Sequence, residues 1–310
     1  MASPPTTPVD IQQCMRGLIA RLAPTEGYTL TALDGVRLLR MNRSLARMPV
    51  LYEPGICFIC QGSKRGFLAG EVYRYDAHHY LVLSVPMPFA SEADASPEAP
   101  LLGIALSIDP AQVAELALVL DEQAYVGDAL PKPMLSTPLD ERMGQTLLRL
   151  LEALASPLEA KILGPAILRE IYFHVLTGQQ GGVLRAALAQ GGHFGRIAKA
   201  LRRIHADYHG RLDVGSLARD AGMSVSAFHA HFRQVTSSTP IQYLKATRLH
   251  QARLLMIRSG MTAAAASAKV GYESTSQFSR EFKRLFGRSP GAEAVQMKQA
   301  LALSAAPRAV

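Results

Sequence analysis

Two stretches of this chain repeat one pattern of glycine, serine and phenylalanine about fifty residues apart. In Asp213 to Ser237, Gly222 is followed by Ser224, Phe228 and Phe232; in Ala263 to Pro290, Gly271 is followed by Ser274, Phe278 and Phe282. Each copy reads as a short helix, a turn at the glycine, and a second helix. The serine hydroxyl can accept from the free N–H groups of that helix's first turn. Phe228 and Phe232, with Val225 and Val235, recur at three-to-four-residue spacing and make one apolar face. Two helices across a tight glycine turn form a helix-turn-helix unit. Two copies only make a tandem pair, not a repeat array. The segment between them, Pro240 to Met256, predicts one linking helix with an apolar stripe of Ile241, Leu244, Ala252 and Leu255. Arg248 falls beside that stripe, where a snorkelling structural role is expected.

The faces opposite the phenylalanines carry donors and small groups. On the first unit these are Ser226, His229, Ala230 and Arg233; on the second, Thr275, Ser276, Gln277, Ser279, Arg280, Lys283 and Arg284. Arginine can pair with guanine and glutamine with adenine in the major groove, while Ala230 leaves room for a thymine methyl. Lys283 and Arg284 suit phosphates, which fix register without reading sequence. A linking helix of this length spans roughly 25 Å, an order that suits successive major-groove segments on one DNA face.

From about Ile197 to Gln299 the chain resembles the DNA-binding domain of the AraC/XylS family of bacterial transcription regulators, most specifically in VGYESTSQFSREFKRLFGRSP. It departs at Ala266-Ser267, where the family more often has an Ile-Ala-like pair, which predicts a less well packed first helix in the second unit. The resemblance implies a sequence-specific regulator, activator or repressor, acting on double-stranded promoter DNA, with RNA polymerase as a partner, and a homodimer. Charge agrees. Residues 196–299 hold 17 Lys and Arg against 6 Asp and Glu, whereas the rest of the chain holds 16 against 19. Basic charge concentrated on the paired motifs is the footprint of nucleic-acid binding.

Ahead of this region, Asp10 can cap a helix, and short extended runs follow at Tyr28–Thr31, Val36–Met41, Ile56–Gln61, Lys64–Leu68, Glu71–Tyr75, Tyr80–Val85 and Leu101–Ile108. The stretch from Pro86 to Pro100 reads as a surface loop, as does Gly127 to Pro138. Helices are expected from Pro110 to about Asp121, at Leu139–Ala155, at Pro165–Thr177 and near Leu184–Ala189. The leucine stripe of Leu139–Ala155 is a candidate dimer interface. Phrases such as ICQGSKRGF and YLVLSVPMP resemble the N-terminal domain of one branch of the same family, which implies a cupin-like β barrel with helices, serving effector binding and dimerisation. The expected whole is α+β: residues 1–9 disordered, 10–180 the cupin-like domain, 181–195 a linker, 196–299 an all-α domain with two helix-turn-helix motifs, and 300–310 a disordered tail.

Cys57 and Cys60 share a C-x-x-C spacing, but on a strand these positions face opposite sides, and no second Cys/His pair follows. Structural zinc is not expected, and thiol sensing of oxidants or electrophiles is the alternative to plain burial. His78-His79 lacks the HxH-plus-glutamate pattern of metal-binding cupins. No metal or cofactor is implied, and the chain is not expected to be an enzyme. The competing reading is a cupin-type metal enzyme with an appended nucleic-acid-binding tail. Three cysteines and no signal-like start or membrane-length apolar run predict a cytoplasmic protein without a membrane role.

Overall fold

The computed structural model describes residues 10–122, 132–178, 181–188 and 192–302. The expected disordered segment 1–9, residues 123–131 with the first part of the expected 127–138 loop, and residues 303–310 of the expected 300–310 tail lie outside them, whereas residues 300–302 of that tail end a helix. Helix α1 (Ile11–Leu22) starts where Asp10 accepts from the N–H groups of Gln12 and Gln13. Ten strands follow: β1 (Gly27–Leu30), β2 (Val36–Met41), β3 (Leu45–Tyr52), β4 (Gly55–Gln61), β5 (Ser63–Leu68), β6 (Glu71–Asp76), β7 (His79–Leu83), β8 (Met87–Asp94), β9 (Leu101–Ser107) and β10 (Met134–Pro138), with α2 (Pro110–Glu122) before the last. They form one curled antiparallel sheet in the order β1-β2-β9-β4-β7-β6-β5-β8-β3, with β10 paired to β7. The result is a half-barrel, with β1 and β3 at its two ends.

Seven strands lie where alternation predicts them; β3, β8 and β10 do not, and two of these overturn expected loops. Met87–Asp94 is a strand despite Pro88 and its acidic end. Its partner β5 pairs only with Ala90–Asp94, while Met87–Phe89 pair with β3 alone. The missing N–H of Pro88 therefore falls where one side of the strand is unpaired, the position proline tolerates. Pro49 lies in β3, an end strand of the sheet, for the same reason. Residues 134–138 pair along β7 from Leu83 to His79 rather than looping.

Helices α3 (Glu141–Leu154), α4 (Pro157–Ile162), α5 (Gly164–Thr177) and α6 (Gly181–Leu188) complete the first part. Sheet residues alternate between two cores. Leu38, Phe58, Tyr80, Val82 and Ile104 pack with α1, α3 and α5 on one face. Leu147, Leu150, Leu151 and Leu154 are buried in that core, so the leucine stripe of α3 is interior and not a free dimer face.

The remaining helices are α7 (His193–Asp207), α8 (Val214–Asp220), α9 (Val225–Thr236), α10 (Pro240–Arg258), α11 (Ala263–Lys269), α12 (Thr275–Phe286) and α13 (Pro290–Ala302). Leu39, Tyr75, Leu81 and Leu83, on the other sheet face, share a continuous core with Ile197, Leu201, Phe228, Phe232 and Tyr243 of α7, α9 and α10. A third, smaller core gathers Met256, Val270, Phe278, Phe282 and Phe286. The apolar stripe expected on α10 is incomplete, because Ile241 is exposed while Tyr243, Thr247, Leu249, His250 and Arg253 are also buried. Packed by both motifs and by the sheet, α10 has no single buried side.

Candidate nucleic-acid interface

Both predicted motifs form. Asp213 caps α8 by accepting from the Ser216 N–H, and Ser224 caps α9 by accepting from that of Ala227. In the second copy Thr262 caps α11 and Ser274 caps α12. Gly222 and Gly271 take left-handed φ of 61° and 85°, a conformation glycine adopts without a Cβ penalty. Phe228, Phe232, Phe278 and Phe282 are fully buried at matching places, whereas Val225 stays half exposed at the start of α9. In α11 both Ala266 and Ser267 are buried, and the Ser267 hydroxyl has no partner among the described residues.

The structure brings Ser226, His229, Ala230 and Arg233 to the exposed face of α9, and Thr275, Ser276, Gln277, Arg280, Lys283 and Arg284 to that of α12; Ser279 is half buried. The side chains of Arg233, Arg280 and Lys283 make no hydrogen bond or ion pair within the described residues. Their charge is available to a phosphate or a base edge. Gln277 is different, since its amide donates to Glu281 at 3.2 Å. Glu281 also accepts from Lys245 at 2.6 Å and from the Tyr272 hydroxyl at 2.7 Å. Burial opposes its charge, but those three bonds outweigh it and hold the carboxyl below its ordinary range. This hub pins α12 to α10 and is not readable from helical spacing, since it joins three segments.

Between the half-barrel and the motifs lies a polar junction. The Tyr243 hydroxyl donates to the Pro86 carbonyl at 2.6 Å and meets His205 Nε2 at 2.8 Å. Arg253 pairs with Glu293 at 3.0 Å and donates to the Pro49 carbonyl of β3 at 2.9 Å. Beside it opens a cavity of about 480 Å³. Both end strands line it, through Tyr28 of β1 and Met48 and Val50 of β3, and α10 closes it with His250, Arg253, Leu254 and Ile257.

Lys64 reaches this cavity from β5 and is only 4% exposed. Its one hydrogen-bond partner among the described residues is the Tyr52 hydroxyl, at 2.7 Å. Burial opposes its charge, and besides the Tyr52 hydroxyl that accepts from it, the rings of Tyr52 and Tyr75 lie 5.3 and 5.7 Å from the ammonium. No sequence signal marks Lys64 as interior. Alternation over a six-residue strand cannot say whether Lys64 or Arg65 faces inward.

Cys60 belongs to the helix-side core and Cys57 packs against the opposite one, as strand geometry predicts. Burial pushes the Cys60 thiol up to about 12 and raises that of Cys57, away from the thiolate character that reactivity requires. His79 Nδ1 meets Asp76 at 3.2 Å, and His78 donates its N–H to the same carboxylate. Both histidines finish a turn. Among the described residues no helix is long and apolar enough to cross a membrane.

Residues 32–183 match the family profile described as AraC-type transcriptional regulator N-terminus, and residues 217–294 match a helix-turn-helix domain profile. The regulator AlkR of Acinetobacter baylyi is 38% identical over 94 residues, 30% of this chain and 31% of that protein. A putative AraC-like transcription regulator of Streptomyces lividans is 28% identical over 179 residues, 54% of this chain and 58% of its own length. The chain thus spans about a third to little more than half of these relatives. Among solved structures, unsaturated fatty acid-bound ToxT of Vibrio cholerae has the same fold, with a TM-score of 0.57 at 12% identity, covering 87% of this chain and 96% of that one.

Proposed function

The chain belongs to the AraC family of transcriptional regulators, and from that premise we propose that it is a cytoplasmic, homodimeric regulator that reads promoter DNA with α9 and α12 and responds to a small effector. One observation carries the reading: two glycine-turn motifs present Arg233 and Arg280 unpaired on matching exposed faces. Arg233 and Arg280 read bases with Ser226, His229, Ala230 and Gln277, while Thr275, Ser276, Ser279, Lys283 and Arg284 contribute backbone contacts that set register. RNA polymerase is the further partner this role implies. Residues 10–180 form the effector and dimerisation part and 196–299 the DNA-binding part.

Binding to promoter fragments should weaken steeply with salt as phosphate counterions are released. Arg280→Ala is expected to cost about 1–3 kcal/mol and to relax preference at one base position, while Lys283→Ala should weaken all sequences alike and lower the salt slope by about 1. Quantitative binding to a randomised site at several salt concentrations separates the two. A salt-insensitive interaction unchanged by Arg280→Ala would sink the reading.

The effector site is the junction cavity. A buried ammonium facing tyrosine rings in a largely apolar space is compensated best by an anion with an apolar body, and the fold relative ToxT is known with such a compound bound. Medium- and long-chain carboxylates should raise the thermal midpoint of the protein, their alcohols should not, and Lys64→Met should abolish the difference. Equal shifts from acid and alcohol would remove Lys64 from the site.

A further inference from the structure

Most of α10 can be read as a rod, but Arg248 at its middle does something a rod does not require. Instead of snorkelling to solvent, its guanidinium turns inward and bonds three backbone carbonyls. Nε donates to Tyr208 at 2.7 Å, Nη2 to Gly210 at 2.8 Å and Nη1 to Gly271 at 3.1 Å. Tyr208 is the C-cap of α7, and Gly271 follows Val270, the C-cap of α11. The last carbonyls of a helix have no partners within it, and a cation there also meets the negative end of the helix dipole. One planar fork thus ties the C-cap of α7 and the loop after it, which leads into the first motif, to the turn of the second motif. A lysine, a point charge on a flexible stem, cannot hold three carbonyls in fixed directions.

The contact is close as well as polar. A Cβ placed on Gly271 would stand 2.4 Å from the His209 carbonyl oxygen and 3.3 Å from the Arg248 guanidinium carbon. The turn of the second motif therefore lies directly on the loop that leads into the first. Arg211 and Glu273 bridge the same seam at 3.3 Å on the surface. In the first motif the comparable turn is open: a Cβ on Gly222 would meet only Arg196, at 3.9 Å, and Arg196 donates to the Gly222 carbonyl at 3.3 Å.

We propose that Arg248, seated on the Gly271 turn and the Tyr208–Gly210 loop, is the positioning residue that fixes the separation and angle between the two DNA-reading helices, and so determines the spacing between the two base clusters the protein accepts. This rests on the reading of the chain as a DNA-binding regulator. Packing and the Glu281 hub hold each motif to α10, and the Arg248 seam is what joins the two to each other and resists rocking of one against the other. Losing three charge-assisted bonds to backbone frees that rocking without touching a single base-reading side chain.

The test uses the full-length protein and Arg248→Met, Arg248→Lys and Gly271→Ala variants, each checked for folding by circular dichroism. Binding sites are selected from a random DNA library, and the spacing between the two recovered base clusters is tabulated. Wild type should return two clusters at one dominant spacing. The variants should return the same clusters with that spacing's preference reduced about tenfold, and with unchanged affinity for fragments carrying either cluster alone. Wild-type spacing in a folded Arg248→Met protein would overturn the proposal. Failure of wild type to select any sequence would instead overturn the DNA-binding reading itself. A second measurement needs no DNA. Spin labels on exposed positions 225 and 264, in a background with Cys14, Cys57 and Cys60 changed to Ser, should give a narrow distance distribution that broadens in Arg248→Met. An unchanged width would overturn the proposal even where site selection succeeds.

Discussion

Phe282→Ala should unfold the second motif while leaving the rest of the protein folded. Its ring lies 5.4 Å from that of Phe278 and 4.4 Å from that of Phe286, at the centre of the smallest of the three cores. Truncating a buried phenylalanine costs about 3–5 kcal/mol, and α11 brings little to offset it. That helix contributes Ala266 and a buried Ser267 hydroxyl without a partner among the described residues. Phe232→Ala removes the same group from a core that runs on into the sheet through Tyr75, Leu81 and Leu83. There the loss should lower one cooperative transition shared by half-barrel and first motif. Calorimetry of both variants, with footprinting on the promoter, distinguishes these outcomes: a footprint cut to one half for Phe282→Ala, and a lowered midpoint with both halves kept for Phe232→Ala. Identical unfolding profiles would show that the cores are not separate.

The second large effect lies at the junction. Arg253 and Glu293 are 8% and 3% exposed and pair at 3.0 Å. Removing one partner of a buried pair strands the other charge and costs about 3–5 kcal/mol, whereas replacing both by apolar groups is often neutral. Glu293→Ala should therefore destabilise strongly, and Arg253→Met combined with Glu293→Leu should recover most of that loss. The double replacement also removes the bond from Arg253 to Pro49, so it should loosen α10 from β3 without unfolding either. Urea unfolding of single and double variants checks the first statement, and hydrogen exchange in β3 checks the second. His250, next to this pair, adds a pH dependence. Burial, helped by the Arg253 charge, lowers its pKa from the ordinary 6.5 to about 3. The unfolded chain then takes up the proton first, so this contribution is intact above about pH 6.5 and drains away as pH falls toward 3. A His250→Gln variant should flatten that part of the stability profile.

The features legible in the sequence were those governed by local rules. Caps at Asp10, Ser224 and Ser274, the turn glycines, and strands with clean alternation needed only neighbours in the chain. What escaped depends on partners far away. β8 became visible only once β3 and β5 covered it, because Pro88 and the acidic residues argue for a loop until one sees which edge goes unpaired. The reading faces of α9 and α12 followed from spacing, yet the bonding of Gln277 to Glu281 did not, since it requires Lys245 from another helix. Lys64 and Arg253 carry no local mark of burial; each is interior because two separate parts of the chain meet around it.

That meeting has a practical consequence for anyone dividing this protein. The segment near residue 192 invites a cut, yet Ile197, Leu201, Phe228, Phe232 and Tyr243 lie in one continuous core with Leu81, Leu83, Val85 and Met87. Separation would bare an apolar scar on each half and leave the Tyr243 hydroxyl and the Pro86 carbonyl without each other. Each half alone would tend to associate through its new surface, and an oligomeric state measured on a fragment would then report the cut. The second motif owns a core of its own, so a boundary placed within α10 exacts less from the half-barrel than one placed before α7.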